Sequence, residues 1–218
     1  MSRITMLQHG KVSLALHHLR DGDDSRALLL LHGLGHHAPA SAPAWSAEWR
    51  GSVVALDFTG HGQSTVPRGG GYSAEMLLAD ADVALSTLGQ ATLVGQGLGA
   101  YIALQLAGAR ASSIRGAVLA DGTGLSGGPA QPLAANVISL PRRDGPPDPY
   151  ALFELSRDLR PPDYATVFAR MAVEHSGLDE PLTISAVARP PWLVAVADEV
   201  GVAQAPIRDA LATYAAIG

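Results

Sequence analysis

Short apolar runs that alternate with helix-like stretches constrain the fold of this chain more than any other feature. The apolar runs lie at residues 27–31, 52–56, 91–94 and 114–120, and helix-like stretches at 73–88 and 100–109 separate the later ones. Apolar runs this short, bounded by turn residues, are typical of strands that are buried on both faces. Strands of this kind joined by helices predict a mostly parallel, doubly wound α/β sheet with helices on both sides.

A polar or glycine-rich segment follows each of these predicted strands. The four segments cover residues 32–35, 57–64, 95–99 and 121–124. Because the carboxyl ends of parallel strands meet at one edge of a sheet, we expect these segments to lie together and to form the ligand site.

The third segment, Gly95-Gln96-Gly97-Leu98-Gly99, follows a predicted strand and opens a predicted helix. A strand, a glycine-spaced turn and a helix are the setting in which the pattern G-x-S-x-G presents a serine nucleophile. Here glycine stands at the serine position, as Gly97. The turn forces its central residue to a positive φ, which costs roughly 1–3 kcal/mol for other residues and carries no steric penalty for glycine. A chain that does not use the serine would therefore be more stable with Gly97.

The alternating pattern stops at about residue 121, and glycine and proline then punctuate the chain. Helix starts, marked by an N-cap or by proline in the first turn, are predicted at Asp148-Pro149, Pro162-Asp163 and Asp179-Glu180-Pro181. We interpret residues 122–189 as a small helical cap, inserted into a core formed by residues 1–121 and 190–218.

Four further segments complete the predicted core. Ile4–Gln8 and Val12–Leu19 are joined at His9-Gly10-Lys11, a pattern that predicts a β-hairpin. Near the other end of the chain, Trp192–Ala197 resumes the β pattern. A helix is predicted over residues 206–216.

The composition excludes several classes of function. Hydrophobic residues make up 47% of the 218 residues, which is enough for a sizeable core. A net charge of −5 without a basic stripe argues against nucleic-acid binding, and the apolar runs are too short to cross a membrane. The lack of cysteine excludes disulfides and thiolate chemistry. We expect a cytoplasmic protein that uses no cofactor.

With these residues in view, the chain resembles the α/β-hydrolase superfamily. Three motifs in the family's order carry the resemblance: His-Gly-x-Gly at 32–35, Asp-x-x-Gly-His-Gly-x-Ser at 57–64, and the glycine turn at 95–99. The resemblance covers roughly Ile4 to Ala120 and extends loosely over the rest. It implies the family's sheet, here expected to lack its last strand because one helix alone follows Trp192–Ala197. Residues 97–102 are also similar to the degenerate turn of NDRG proteins, which keep the fold without the catalytic triad.

The resemblance implies a triad of serine, histidine and acid, and each member departs here from the family's pattern. Gly97 stands at the nucleophile position. No histidine follows His175, which lies in the predicted cap. The candidate acid is Asp121 or Asp198, the second lying shortly after the predicted strand at 192–197. Neither acid has a late histidine to orient.

The resemblance also implies an oxyanion hole whose donors would be the backbone N–H groups of Leu34 and Leu98. Backbone donors survive side-chain replacement, and Leu98 lies at a helix N-terminus, which favours an anion. The site is therefore expected to hold a small anionic or carbonyl-containing ligand, or only water. Gly35, Gln96 and His32 would lie around it, with Gln96 as a hydrogen-bonding group.

The remaining histidines of these turns favour structural roles. His32 and His61 belong to turns that are usually structural in the family. His36 and His37 would line the mouth of the pocket. As a pair they lack a third ligand, so no metal site is expected.

Three interpretations of function are open. The first is a non-catalytic family member that binds a small ligand or a partner. The second is a carboxylester-type hydrolase whose serine was replaced or whose chemistry uses other residues. The third, an interaction protein, follows from the open sheet edge that a missing last strand would leave, and it predicts a homodimer. We favour the first, because the nucleophile, the late histidine and the last strand all depart from the family's pattern.

Overall fold

The computed structural model describes residues 3–128 and 145–217, which contain eight strands and six α-helices. The strands are β1 (Arg3–His9), β2 (Val12–Arg20), β3 (Asp24–Leu31), β4 (Gly51–Leu56), β5 (Ala91–Gln96), β6 (Ile114–Ala120), β7 (Leu182–Ile184) and β8 (Val202–Gln204). The helices are α1 (Ala74–Leu88), α2 (Leu98–Ala109), α3 (Pro149–Arg157), α4 (Pro162–His175), α5 (Pro191–Ala197) and α6 (Ile207–Ala216).

One sheet contains all eight strands, in the order β1-β2-β4-β3-β5-β6-β7-β8, and the predicted doubly wound α/β fold is confirmed. β1 and β2 form the predicted antiparallel hairpin, turned by Gly10 with a φ of 59°. β2 also pairs antiparallel with β4. The neighbouring pairs from β4 to β8 are all parallel. The carboxyl ends of β3 to β8 therefore share one edge of the sheet.

The two faces of the sheet are covered differently. On one face, α1 and α2 pack against the strands, and α2 is buried along almost its whole length because α4 packs over it. On the other face, α6 and a 3-10 turn at Ala44–Ser46 cover a second cluster that includes Leu28, Val53 and Val118. Residues 32–50, which connect β3 to β4, contain only that single turn of helix.

The sheet has the last strand that the sequence was expected to lack. β8 pairs in parallel with β7, and β7 pairs with β6. The segment Trp192–Ala197, predicted as a strand, is instead helix α5, with Pro190 as its N-cap and Pro191 in its first turn. A short apolar run does not distinguish a buried helix from a buried strand, and strands as short as β7 and β8 give almost no periodic signal.

The region predicted as the cap contains elements of two kinds. The helix starts at Asp148-Pro149 and Pro162-Asp163 are confirmed, and the Asp148 side chain accepts a hydrogen bond from the Tyr150 N–H. The third predicted start, Asp179-Glu180-Pro181, is wrong, because the chain enters β7 there. The sheet therefore resumes at Leu182, before the boundary predicted at residue 190.

Of the two helices in the described part of residues 122–189, α3 is the one that contacts the loops at the carboxyl ends of the strands. Glu154 of α3 accepts hydrogen bonds from the N–H groups of Gly71 and Tyr72. The α4 helix packs instead against α2 and α5, as part of the layer that covers the sheet. The stretch 129–144 of the predicted cap lies outside the described residues.

The homodimer was predicted from an open sheet edge at Trp192–Ala197, and that edge does not exist in the structure. The edge expected at Trp192–Ala197 is a helix, and the sheet ends at the three-residue strand β8. The homodimer itself stays a prediction.

Among the described residues, no helix is both long enough and apolar enough to span a bilayer.

Candidate functional site

The glycine turn joins β5 to α2 as the sequence predicts. Gly97 is the N-cap of α2 and has φ 59° and ψ −118°, a backbone conformation that disfavours residues with a Cβ. The flanking glycines have steric reasons of their own. A Cβ on Gly95 would overlap the carbonyl of Gly99, and a Cβ on Gly99 would overlap the carbonyl of Leu31. The spacing of the three glycines therefore follows from the close approach of β5, α2 and β3.

The carbonyl oxygen of Thr123 occupies the place predicted for an oxyanion. It accepts a hydrogen bond from the Leu98 N–H at 2.9 Å and another from the Leu34 N–H at 3.0 Å. These are the two donors that the sequence assigned to the oxyanion hole. Both donors are satisfied by the backbone of the loop that follows β6, so a ligand could reach them only by displacing Thr123.

The same loop fills the space where a nucleophile would stand. A Cβ on Gly97 would overlap the Thr123 carbonyl oxygen and lie 2.7 Å from the Thr123 nitrogen. A Cβ is essentially never this close to backbone, so a serine at this position requires the loop to move. Two independent features thus favour glycine at position 97: its positive φ and the Thr123 backbone packed against it.

The loop that closes the site carries a sequence signal that the interpretation missed. Glycines flank Thr123 on both sides. A Cβ on Gly122 would lie 2.7 Å from the Gly97 nitrogen, and a Cβ on Gly124 would lie 2.7 Å from the Leu34 Cβ. The Thr123 hydroxyl also donates to the Leu34 carbonyl at 2.7 Å. A Gly-Thr-Gly loop at a strand end can approach another backbone closely, and that is its role here.

Neither candidate acid is paired with a histidine. The Asp121 carboxylate accepts hydrogen bonds from the backbone N–H groups of Val187 at 2.6 Å and Ala188 at 3.0 Å, so it holds the segment that follows β7. Asp198 is the C-cap of α5 and not a residue after a strand. The residues that do follow β7, 185–190, include no Asp or Glu. All eight histidines are described, and none bonds to either aspartate.

His32 has the structural role that its turn favoured. Its Nδ1 donates to the Gly33 carbonyl at 2.8 Å, and its Nε2 accepts from the Phe58 N–H at 3.1 Å. Burial lowers the pKa of His32 to about 3, with a smaller contribution from the neighbouring His61. The ring is therefore neutral at physiological pH with both nitrogens engaged, and it cannot act as a base.

His61 is held in a similar way. Its Nδ1 lies 3.1 Å from the Thr59 carbonyl oxygen, and its Nε2 accepts from the Gly35 N–H at 3.3 Å. Burial lowers the pKa of His61 as well. Gly35, predicted beside the oxyanion site, thus contributes its N–H to a structural contact.

Two buried aspartates, which the sequence interpretation did not single out, organise the loops at this edge. Asp57 accepts from the Ala38 N–H at 2.6 Å, from the Gln63 N–H at 2.8 Å and pairs with His17 Nε2 at 2.8 Å. Asp80 accepts from the Thr59 N–H and pairs with His9 at 2.7 Å, and its burial raises its pKa. The signal for Asp57 was its position directly after a buried strand.

Gln96, His36 and His37 lie around a cavity of about 190 Å³ at the carboxyl ends of β3 and β5. Gln96 is exposed although the other residues of β5 are buried. Its side-chain amide makes no hydrogen bond to the described residues. No group of three or more potential metal ligands occurs in the part of the chain that the structure describes.

The sequence matches the model of the alpha/beta hydrolase family over residues 28–217. The chain belongs to the alpha/beta hydrolase family, and its strand order and glycine turn agree with this match. No curated protein matches the chain.

Solved structures that are similar to all or part of this chain include enzymes of several kinds. A thioesterase domain from the curacin biosynthetic pathway aligns with 100% of this chain and 99% of its own length, at 18% identity and a TM-score of 0.63. A hydrolase from Pseudomonas aeruginosa is 27% identical over 54% of this chain and 45% of its own, with a TM-score of 0.46. A haloalkane dehalogenase from Agrobacterium tumefaciens is 22% identical over 55% of this chain and 40% of its own, with a TM-score of 0.44. The matched part thus spans less than half the length of the last two proteins.

Proposed function

We propose that this chain is a non-catalytic member of the alpha/beta hydrolase family that binds a small molecule. One observation carries the proposal. The Thr123 carbonyl bonds to the N–H groups of both Leu34 and Leu98, in the position that a reacting oxyanion would need. The backbone of the same loop lies where a nucleophile on residue 97 would stand.

Acyl transfer needs a nucleophile, an oxyanion hole, a histidine and an acid. In this chain the corresponding groups make other contacts or are replaced. The nucleophile position is a glycine, and the donors of the oxyanion hole are satisfied internally. The buried histidines that line the turns, His32 and His61, use both ring nitrogens in loop contacts. Asp121 binds backbone N–H groups. Removing triad members leaves some rate enhancement only where the oxyanion hole still binds the transition state, and Thr123 competes for that binding.

Hydrolysis of a short acyl ester such as p-nitrophenyl acetate tests the proposal. We expect the wild-type chain and the variant Gly97→Ser to hydrolyse the ester no faster than the variant Gly10→Ser. Gly10 is a suitable control because it has the same φ of 59° and an added Cβ there meets no atom within 4 Å. Saturable turnover by the wild type would overturn the proposal.

The alternative, a carboxylester-type hydrolase, requires the loop at 121–124 to withdraw from the glycine turn. Turnover that appears only in Gly97→Ser would favour this alternative, because the remaining parts would then be competent. The family match is what favours it, since the matching model is that of the alpha/beta hydrolase family.

A further inference from the structure

The cavity beside Gln96 does not include the position that Thr123 closes, because neither Thr123 nor Gly97 lines it. Its sheet side is formed by Leu30, Ala55 and Val94, which belong to the cluster on the α6 face. Its other side is formed by the connection between β3 and β4, including Pro43 and Trp45. This connection has only one turn of helix, so it leaves a hollow over the strand ends that a packed helix would fill.

Of the residues that line the cavity, only the three histidines are titratable. None of its residues is Lys, Arg, Asp or Glu. Burial keeps His32 neutral, and both of its nitrogens are already bonded. His37 Nδ1 lies 2.8 Å from the Ala38 carbonyl oxygen. An ion would lose part of its hydration here without gaining a Lys, Arg, Asp or Glu partner, which is unfavourable.

Gln96 is one polar group available to a ligand, and the exposed His36 and His37 are the others. Its amide carries both a donor and an acceptor, makes no hydrogen bond to the described residues, and faces a cavity that is otherwise mostly apolar. Trp45 is half-buried beside it and offers an aromatic surface. Apolar walls with one or two polar groups that fix orientation are the usual composition of a small-molecule site.

The volume limits the size of the ligand. A cavity of about 150 Å³ holds benzene, and drug-sized pockets begin near 300 Å³. At about 190 Å³, this cavity suits a molecule with one aromatic ring or two fused rings. We propose that it binds small neutral aromatic molecules through a hydrogen bond to the Gln96 side chain. This proposal supplies the ligand class for the binding function proposed above and rests on that function.

Titration calorimetry of the full chain with indole tests the proposal, because indole is neutral, aromatic and has one N–H donor. We expect binding at a single site. The variant Gln96→Leu should bind indole roughly 3- to 10-fold more weakly, the effect of losing one hydrogen bond. Gln63→Leu, the same change at an exposed site outside the cavity, should bind like the wild type. 1-Methylindole, which lacks the donor, should bind equally to wild type and Gln96→Leu.

A second variant closes the cavity without touching Gln96. Ala38→Leu places a larger side chain in the lining, and Ala47→Leu is the same change at an exposed site on the same connection. We expect Ala38→Leu to abolish indole binding and Ala47→Leu to preserve it, with cooperative thermal unfolding confirming that both are folded. Absence of indole binding to the wild type, or equal binding by wild type and Ala38→Leu, would overturn the proposal.

The ester assay separates this proposal from the proposed function. A wild-type chain that neither binds indole nor hydrolyses esters would overturn the ligand assignment and leave the non-catalytic assignment standing. A chain that hydrolyses esters would overturn the non-catalytic assignment, whatever its affinity for indole.

Discussion

Thr123 and Leu34 are joined by two reciprocal hydrogen bonds. The Leu34 N–H donates to the Thr123 carbonyl at 3.0 Å, and the Thr123 hydroxyl donates to the Leu34 carbonyl at 2.7 Å. The two residues lie on loops that follow different strands, β3 and β6. Their pairing, together with the Leu98 N–H, fixes the loop after β6 over the glycine turn.

Replacing Thr123 by valine removes the hydroxyl bond and keeps the carbonyl bonds. We expect Thr123→Val to lower the free energy of unfolding by about 0.5–1.5 kcal/mol, because the Leu34 carbonyl loses its partner. Thr87→Val is a matched control, since the Thr87 hydroxyl bonds only within its own exposed helix. Urea denaturation measures both variants. An equal loss of stability in the two variants would contradict a special role for the loop contact.

Adding a single methyl group to Gly97 tests the closed site directly. Gly97→Ala incurs backbone strain and a clash with the Thr123 backbone, whereas Gly10→Ala has the same φ of 59° and meets nothing within 4 Å. We expect Gly10→Ala to cost about 1–2 kcal/mol and Gly97→Ala to cost at least about 2 kcal/mol more. Denaturant unfolding of the pair gives the difference. Similar losses of stability in the two variants would mean that the loop at 121–124 moves away from residue 97 at little cost.

The protonation of His32 predicts how stability changes with pH. The pKa of His32 is lowered by burial from 6.5 to about 3, so the unfolded chain binds a proton below pH 6.5 that the folded chain does not. Stability is therefore full above pH 6.5 and falls as the pH decreases toward 3, by up to about 1.4 kcal/mol per pH unit for this group. The lowered pKa of His61 acts in the same direction.

The variant His32→Gln should reduce this slope, and His175→Gln, which removes an exposed histidine, should not. Unfolding free energies at pH 5, 6, 7 and 8 measure the slopes. Asp80 and Asp158, whose pKa values are raised by burial, act in the opposite direction but are shared by all these variants. An unchanged slope in His32→Gln would refute the assignment.

Arg160 is a buried cation that the fold only partly satisfies. It donates to the Leu125 carbonyl and lies 4.8 Å above the Tyr101 ring, but its Nε and Nη2 have no hydrogen-bond partner among the described residues. Burial lowers its pKa to about 10, so it stays charged at neutral pH. The Leu125 carbonyl also accepts from the Trp192 Nε1 at 2.8 Å, so it would keep one donor without Arg160.

We expect Arg160→Met to change the free energy of unfolding by no more than about 1 kcal/mol, because removing a costly buried charge offsets the lost attraction to Asp158 and leaves no unpaired acceptor. Arg110→Met breaks an exposed ion pair with Asp82 and should lower stability by at most about 1 kcal/mol. Thermal and urea unfolding compare the two. A loss above about 2 kcal/mol in Arg160→Met would contradict this account.

The sequence predicted the first six strands well because each combines an apolar run with a clear turn. It failed at Trp192–Ala197, where the apolar run is a helix started by Pro190 and Pro191. It also missed β8, because a three-residue strand at a sheet edge has no periodic pattern of its own. Pairing with β7 is what makes Val202–Gln204 a strand, and pairing is a property of the folded chain.

The candidate site divides in a similar way. Glycine at position 97 and the absence of a late histidine are facts of the sequence, and the positive φ of a strand-to-helix turn follows from local geometry. The acceptor that bonds to the Leu34 and Leu98 N–H groups does not follow from local geometry. It is the backbone of Thr123, brought there by the parallel pairing of β5 and β6. A carbonyl group is the same in every residue, so no residue type marks the one that will fill a site. The sequence by itself therefore determined the fold class and the glycine at position 97, and only the tertiary structure decided which backbone packs against that glycine.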